Sequence, residues 1–144
     1  MPKSVLIVDD HEAVRRELRR LFQGYEEFTV CGEAQDGSEA LAKAQQLSPD
    51  LIILDLAMPE MGGLEAANAL HYMMPDAPTF LLTAHYSREL ELTALQCGVR
   101  AIFSKYDDLG RLIRRARDEL RIEPDENIQR GSRNHDARER SPLD

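Results

Sequence analysis

The chain has 144 residues, of which 42% are hydrophobic and 31% are charged, and this is typical of one globular domain with its own core. Its formal net charge of -8 argues against non-specific nucleic-acid binding, which depends on clustered Lys and Arg. There is no apolar run near the ~20 residues that span a bilayer, and the segment before the first predicted strand is too short for a signal peptide, so we expect a cytoplasmic protein without membrane association.

The first half of the chain alternates between strand and helix patterns. Residues 4–8 form a continuous apolar run, which predicts a buried strand, and Asp9 and Asp10 follow it directly. Apolar residues then recur at helical spacing over residues 14–22, with Arg15 and three further arginines on the opposite face, and Gly24 is the predicted helix end. A short strand over residues 28–31 and a helix over residues 40–47, capped by the turn at residues 36–38, complete this half.

The central strand is predicted over residues 51–54, which are four consecutive apolar residues that end on the carboxylate of Asp55. The breaker-rich loop Met-Pro-Glu-Met-Gly-Gly follows it. The remaining pattern predicts helices over residues 64–74, 90–95 and 109–120, and strands over residues 79–82 and 99–103.

Five strands that alternate with five helices predict an α/β fold with a parallel sheet covered on both faces. Right-handed crossovers favour a doubly wound, flavodoxin-like sheet in the order 2-1-3-4-5. In that order, strands one and three are neighbours at the switch point. We therefore expect Asp9, Asp10 and Asp55 to converge on one crevice at the carboxyl ends of the strands.

Three converging carboxylates would repel one another and raise one another's pKa. A hard divalent ion such as Mg²⁺ resolves this repulsion, because it prefers oxygen ligands and is typically held by one or two carboxylates plus phosphate oxygens. In-line transfer from a phosphodonor onto Asp55 would then give an aspartyl-phosphate. Two further strand ends offer supporting groups, the hydroxyl of Thr83 and the ammonium of Lys105.

Four motifs carry a family resemblance, and they are listed here in chain order: Val8-Asp9-Asp10, LDLAMPEMGGLE around Asp55, Leu82-Thr83-Ala84 and Ser104-Lys105. Together they resemble the receiver domain of bacterial two-component response regulators over roughly residues 3–122. The amino-acid sequence around these motifs is most similar to that of receivers that often carry a helix-turn-helix output domain.

The resemblance assigns roles to six residues: Asp55 as phosphoacceptor and metal contact, Asp10 as direct Mg²⁺ ligand, Asp9 as a ligand largely through water, Ala57 as a backbone-carbonyl ligand, Thr83 as the switch hydroxyl and Lys105 as the phosphoryl partner. Mn²⁺ could replace Mg²⁺. The expected phosphoryl source is a sensor histidine kinase or a phosphotransfer protein, and slow self-dephosphorylation is the expected extent of turnover. Terminal helices often dimerise such domains, so a homodimer is a further expectation.

Some positions depart from the family pattern. Ile102 stands where an aromatic switch residue is common, three positions before Lys105, and Tyr106 replaces a frequent proline. His11 is expected to begin the helix at the rim of the site. The departure at Ile102 motivates an alternative, a phosphate-independent receiver-like interaction module. A flavodoxin-like cofactor protein or small phosphatase is disfavoured, because the chain lacks a glycine-rich phosphate loop and has Ala57 where a phosphatase would need a second carboxylate.

The domain is predicted to end near residue 122. Residues 123–144 lack periodicity and contain two large aliphatic side chains, Ile128 and Leu143. We expect a disordered tail without an output domain, since such a segment cannot bury enough apolar surface to fold.

Overall fold

A computed structural model of the chain describes residues 1–105 and 109–123. Its strands are β1 (Lys3–Val8), β2 (Phe28–Ala34), β3 (Leu51–Asp55), β4 (Thr79–Thr83) and β5 (Ala101–Ser104). Its helices are α1 (Glu12–Gln23), α2 (Gly37–Leu47), α3 (Gly63–Met73), α4 (Arg88–Gln96) and α5 (Gly110–Leu120). The strands form a parallel sheet in the order β2-β1-β3-β4-β5, which confirms the predicted flavodoxin-like topology.

Every residue of β3 and β4 is buried. Helices cover both faces of the sheet, so these strands need no polar face. One core joins the sheet to Leu18 and Phe22 of α1 and to Leu112 and Ile113 of α5. The opposite core contains the alanine-rich inner faces of α2, α3 and α4.

Several helix ends follow local rules. Asp36 caps α2 as predicted, since its side chain accepts a hydrogen bond from the Glu39 backbone amide at 2.8 Å. Ser87 caps α4 in the same way through the Leu90 amide at 3.0 Å. After α2, Ser48 adopts a left-handed backbone conformation (φ 48°) and ends the helix before β3.

Two predicted strand boundaries were wrong. β2 continues to Ala34, beyond the predicted end at residue 31, because its half-buried polar stretch still pairs with β1 across a register shift. The fifth strand begins at Ala101 and not at Val99. The Val99 amide donates to the Ala94 carbonyl at 3.0 Å, so this buried residue completes the end of α4.

The prediction for Tyr106 falls outside the described residues, and so does the predicted disordered tail over residues 123–144 apart from its first residue. Within residues 1–105 and 109–123, none of the helices has the length and hydrophobicity needed to cross a bilayer.

Candidate functional site

The carboxyl ends of four strands place the predicted site residues at one edge of the sheet. Asp9 and Asp10 follow β1, and Asp55 is the last residue of β3. Val8 pairs with Leu54, so the carboxylates on these two strands become neighbours. Thr83 ends β4, and Lys105 follows β5. The topology therefore brings together the residues that the sequence pattern singles out.

The acidic residues form a compact cluster with His11. One potential ligand atom from each of Asp9, Asp10, His11 and Asp55 lies within 4.8 Å of the others. Asp9 and Asp55 are almost fully buried, with 0% and 2% exposure. Asp10 and His11 are exposed and close the cluster on the solvent side. Such a set of oxygen ligands at a partly open edge suits a hard divalent cation.

Lys105 connects the two buried carboxylates. Its Nζ lies 2.9 Å from Asp55 Oδ1 and 3.1 Å from Asp9 Oδ2. The side chain is 19% exposed, so this ammonium is largely withdrawn from water. The backbone positions the lysine as well, because its amide donates to the Thr83 carbonyl at 2.8 Å.

The pKa values of this pair follow from burial and contact. Burial raises the pKa of Asp55 above its ordinary value, and the charge of Asp9 adds to the rise. The ammonium of Lys105 and, to a smaller extent, the nearby backbone of Ala57 oppose that rise. Burial alone would lower the pKa of Lys105, but its contacts with Asp55 and Asp9 outweigh it, so the pKa is raised.

One oxygen of Asp55 is left over from these contacts. Asp55 Oδ2 is buried and has no hydrogen-bond partner in the described part of the chain. A buried polar oxygen without a partner is costly, and such an atom calls for an explanation such as an ion or a catalytic role. The site therefore fits a metal ion or an electrophile, because its central carboxylate has one oxygen without a partner among the described residues.

The loop after β3 folds back onto the strand end. The Gly63 amide donates to the Leu56 carbonyl at 2.8 Å. A Cβ at Gly63 would lie 2.4 Å from the Asp55 carbonyl oxygen, so the close approach requires glycine there. Ala57 lies in this loop and is exposed. Its role as a carbonyl ligand stays a prediction.

Thr83 is buried, with 3% exposure, and its Oγ1 accepts a hydrogen bond from the His85 amide at 3.0 Å. The hydroxyl therefore holds the start of the segment that leads into α4. Further along, Ile102 and Phe103 face opposite sides of the sheet. Phe103 belongs to the core with α1 and α5, and Ile102 is half-buried against the other core. Successive residues of a strand point to opposite faces of the sheet, as these two do.

Arg15 contacts the site although the sequence pattern places it on the polar face of α1. Its guanidinium donates to the Asp9 carbonyl at 2.7 Å and to Glu33 Oε1 at 3.0 Å. Its side chain is only 12% exposed. This contact could have been inferred from the place of Arg15 in the first turn of a helix that follows the aspartates, because helical side chains lean toward the N-terminus.

Comparison with known proteins identifies the family. Residues 5–117 match the family described as the response regulator receiver domain. The chain belongs to this family.

Individual relatives and solved structures are also similar to this chain. The chain is 34% identical over 102 residues to the response regulator UvrY of Escherichia coli, and the matched segment covers 71% of this chain and 47% of that protein. A LuxR-family response regulator from an Aurantimonas species is similar in structure, with a TM-score of 0.80 at 28% identity, covering 84% of this chain and 86% of that chain. The CheX-CheY-BeF3-Mg complex from Borrelia burgdorferi is also similar in structure, with a TM-score of 0.77 at 27% identity, covering 82% of this chain and 89% of that chain. The chain spans about half the length of the curated relatives it matches.

Proposed function

We propose that the chain is a phosphorylation-controlled receiver in which Asp55 accepts a phosphoryl group, with Mg²⁺, from a histidine kinase or phosphotransfer protein. The observation that carries the proposal is the state of the Asp55 carboxylate. Its Oδ1 pairs with Lys105, and its buried Oδ2 has no partner among the described residues. A nucleophilic oxygen that is positioned and not already hydrogen-bonded suits attack on a phosphodonor.

In the proposed step, Asp55 Oδ2 forms a bond to phosphorus while the bond from phosphorus to the donor's leaving group breaks. The leaving group departs with the bonding electron pair. Lys105, already paired with Asp55, offers its ammonium to the negative charge of the phosphoryl oxygens. Thr83 offers its hydroxyl hydrogen, since the Oγ1 contact with the His85 amide uses the oxygen only as an acceptor.

Asp9, Asp10 and Asp55 are the side chains that would hold the metal, with the Ala57 carbonyl as a further ligand. The fit rests on the oxygen-rich cluster, in which these three carboxylates lie together. When bound, Mg²⁺ would supply positive charge against the phosphoryl oxygens. Mn²⁺ has similar ligand preferences and is an alternative ion.

We further propose that phosphorylation alters the surface formed by α4, β5 and α5. A phosphoryl group adds about -1.5 to -2 charges at the site. The Thr83 hydroxyl would donate its hydrogen to a phosphoryl oxygen, and Lys105 would follow the new charge. Both residues adjoin elements of that surface, so a local electrostatic change would bias a pre-existing equilibrium there.

The test is the intact mass of the protein after incubation with acetyl phosphate and Mg²⁺. We expect a gain of one phosphoryl group when Mg²⁺ is present and no gain when Mg²⁺ is chelated before the incubation. Treatment of the labelled product with base should remove the group. Asp55→Asn should show no gain. Asp76→Asn, at an exposed position between α3 and β4, is the matched control and should be labelled like the wild type.

A second candidate function is a phosphate-independent interaction module that uses the same surface. The specific observation in its favour is Ile102, a half-buried aliphatic residue packed against the core at the position where the family often has a mobile aromatic ring. Absence of labelling while Mg²⁺ binding is intact would contradict the phosphorylation proposal and support this second function.

A further inference from the structure

His11 places a nitrogen ligand beside the aspartates. Its Nδ1 lies 3.1 Å from Asp10 Oδ1 and 3.3 Å from Asp9 Oδ1. The backbone holds the residue in place, because the His11 amide donates to Asp9 Oδ1 at 2.9 Å. His11 is the N-cap residue of α1, yet its side chain makes no capping hydrogen bond. The imidazole is therefore directed at the carboxylates and is not used by the helix.

The two separations from His11 Nδ1 suit ligands of one ion. Two atoms that bind the same metal at about 2.1 Å lie roughly 3.0–3.4 Å apart in octahedral and tetrahedral geometry. Both distances from His11 Nδ1 fall in this interval. An independent observation points to a ligand, because Asp55, a member of the same cluster, has a buried Oδ2 that is unpartnered in the described residues. The cluster thus combines one imidazole nitrogen with three carboxylates.

We propose that His11 makes this cluster a mixed nitrogen–oxygen site that binds a borderline divalent ion such as Zn²⁺ through Asp9, Asp10, His11 and Asp55. Imidazole is a favoured ligand of such ions, whereas Mg²⁺ prefers oxygen and keeps its waters. The same edge of the sheet would then have two binding modes, with His11 used in only one of them. The inference rests on the proposed metal-binding role of these aspartates.

This second mode has a regulatory consequence. Drawn together around one ion, these four protein ligands would complete a tetrahedral shell, which is the arrangement of closed, non-catalytic zinc sites. Asp55 Oδ2 would be a metal ligand in that state and would not be free to attack phosphorus. Zn²⁺ is therefore expected to compete with Mg²⁺ and to suppress labelling by acetyl phosphate.

A different interpretation is that the His11 contacts are only hydrogen bonds or an ion pair with its neighbouring aspartates. That interpretation predicts no difference between ions when His11 is replaced. Titration calorimetry of the full, tag-free chain with Zn²⁺ and, separately, with Mg²⁺ distinguishes the two. The variants are His11→Gln and, as a matched control, His71→Gln, which changes an exposed histidine of α3.

We expect His11→Gln to weaken Zn²⁺ binding by about tenfold or more, the scale on which even indirect ligand partners act. Its Mg²⁺ affinity should stay within about twofold of wild type, because Mg²⁺ prefers oxygen ligands. His71→Gln should change neither. With one equivalent of Cu²⁺ as a spectroscopic probe, the wild type should show nitrogen hyperfine coupling that is lost in His11→Gln.

Unchanged Zn²⁺ affinity in His11→Gln, or equal losses for both ions, would overturn the inference. A loss of Zn²⁺ affinity of the same size in His71→Gln would also overturn it. These results would leave the proposed function standing, provided that the wild type is still labelled on Asp55 with Mg²⁺. Conversely, His11-dependent Zn²⁺ binding in a protein that is never labelled would support the inference and contradict the proposed function.

Discussion

Replacing Lys105 with methionine removes the cation that lies between two buried carboxylates. The ammonium contacts Asp55 at 2.9 Å and Asp9 at 3.1 Å. Methionine keeps much of the apolar stem but leaves the two aspartates facing each other without a positive charge. We expect the variant to fold but to unfold at a lower urea concentration than the wild type.

The size of the effect follows from those distances. At an effective dielectric constant of about 20, each contact is worth about 5–6 kcal/mol of attraction. Dehydrating the ions offsets much of this attraction, and removing one partner from such a buried group typically costs about 3–5 kcal/mol. Because Lys105 keeps some exposure, we expect a loss near the lower limit, about 3 kcal/mol at pH 7 without Mg²⁺.

Urea denaturation followed by circular dichroism measures this loss, with Lys3→Met as the matched lysine control, expected to change stability by no more than about 0.5 kcal/mol. Mg²⁺ at ten times its dissociation constant should add about 1.4 kcal/mol. At equal Mg²⁺ concentration the gain should be larger in Lys105→Met, which lacks the competing ammonium. Wild-type stability of Lys105→Met without Mg²⁺, or a Mg²⁺ gain no larger than that of the wild type, would contradict this role of the Lys105 ammonium.

Three further substitutions test other contacts. Arg15→Met should lower the free energy of unfolding by about 2 kcal/mol and weaken Mg²⁺ binding, because it removes the hydrogen bond to the Asp9 carbonyl. Urea denaturation and calorimetric titration measure the two effects, and Arg15→Lys should recover part of each. Gly63→Ala should cost about 2–3 kcal/mol in urea denaturation, because its Cβ would lie 2.4 Å from a backbone oxygen, whereas Gly24→Ala, with 3.4 Å, should be nearly neutral. Thr83→Ala should still accept a phosphoryl group but show a smaller change in hydrogen exchange over α4 and β5, and a full wild-type change would contradict the proposed switch.

The order of elements could be predicted because each central strand is a short, continuous apolar run and each helix has a distinct apolar face. Strand limits were less accessible. β2 extends through Gly32 and Glu33, whose place in the sheet depends on pairing with β1 and not on their own preference for strands. Val99 looks like strand sequence but completes the end of α4 through Ala94. Tertiary pairing decides such boundaries.

The positions of the site residues could be predicted from topology alone, because parallel strands bring their carboxyl ends to one edge. The contacts between them could not. That Lys105 pairs with both Asp9 and Asp55, and that one oxygen of Asp55 remains unpartnered, depends on side-chain geometry. Arg15 looked like part of a solvated helix face, and its contact with the Asp9 carbonyl arises only when α1 packs beside β1.

The most direct measurement for the central claim is reductive trapping of the phosphorylated residue. Borohydride reduces an aspartyl-phosphate to homoserine, and tandem mass spectrometry of the digested chain then locates it. After incubation with acetyl phosphate and Mg²⁺, we expect homoserine at position 55 and unmodified aspartate at positions 9 and 10. Trapping at another residue, or none at position 55 in a protein that binds Mg²⁺, would contradict the assignment of Asp55 as the phosphoacceptor.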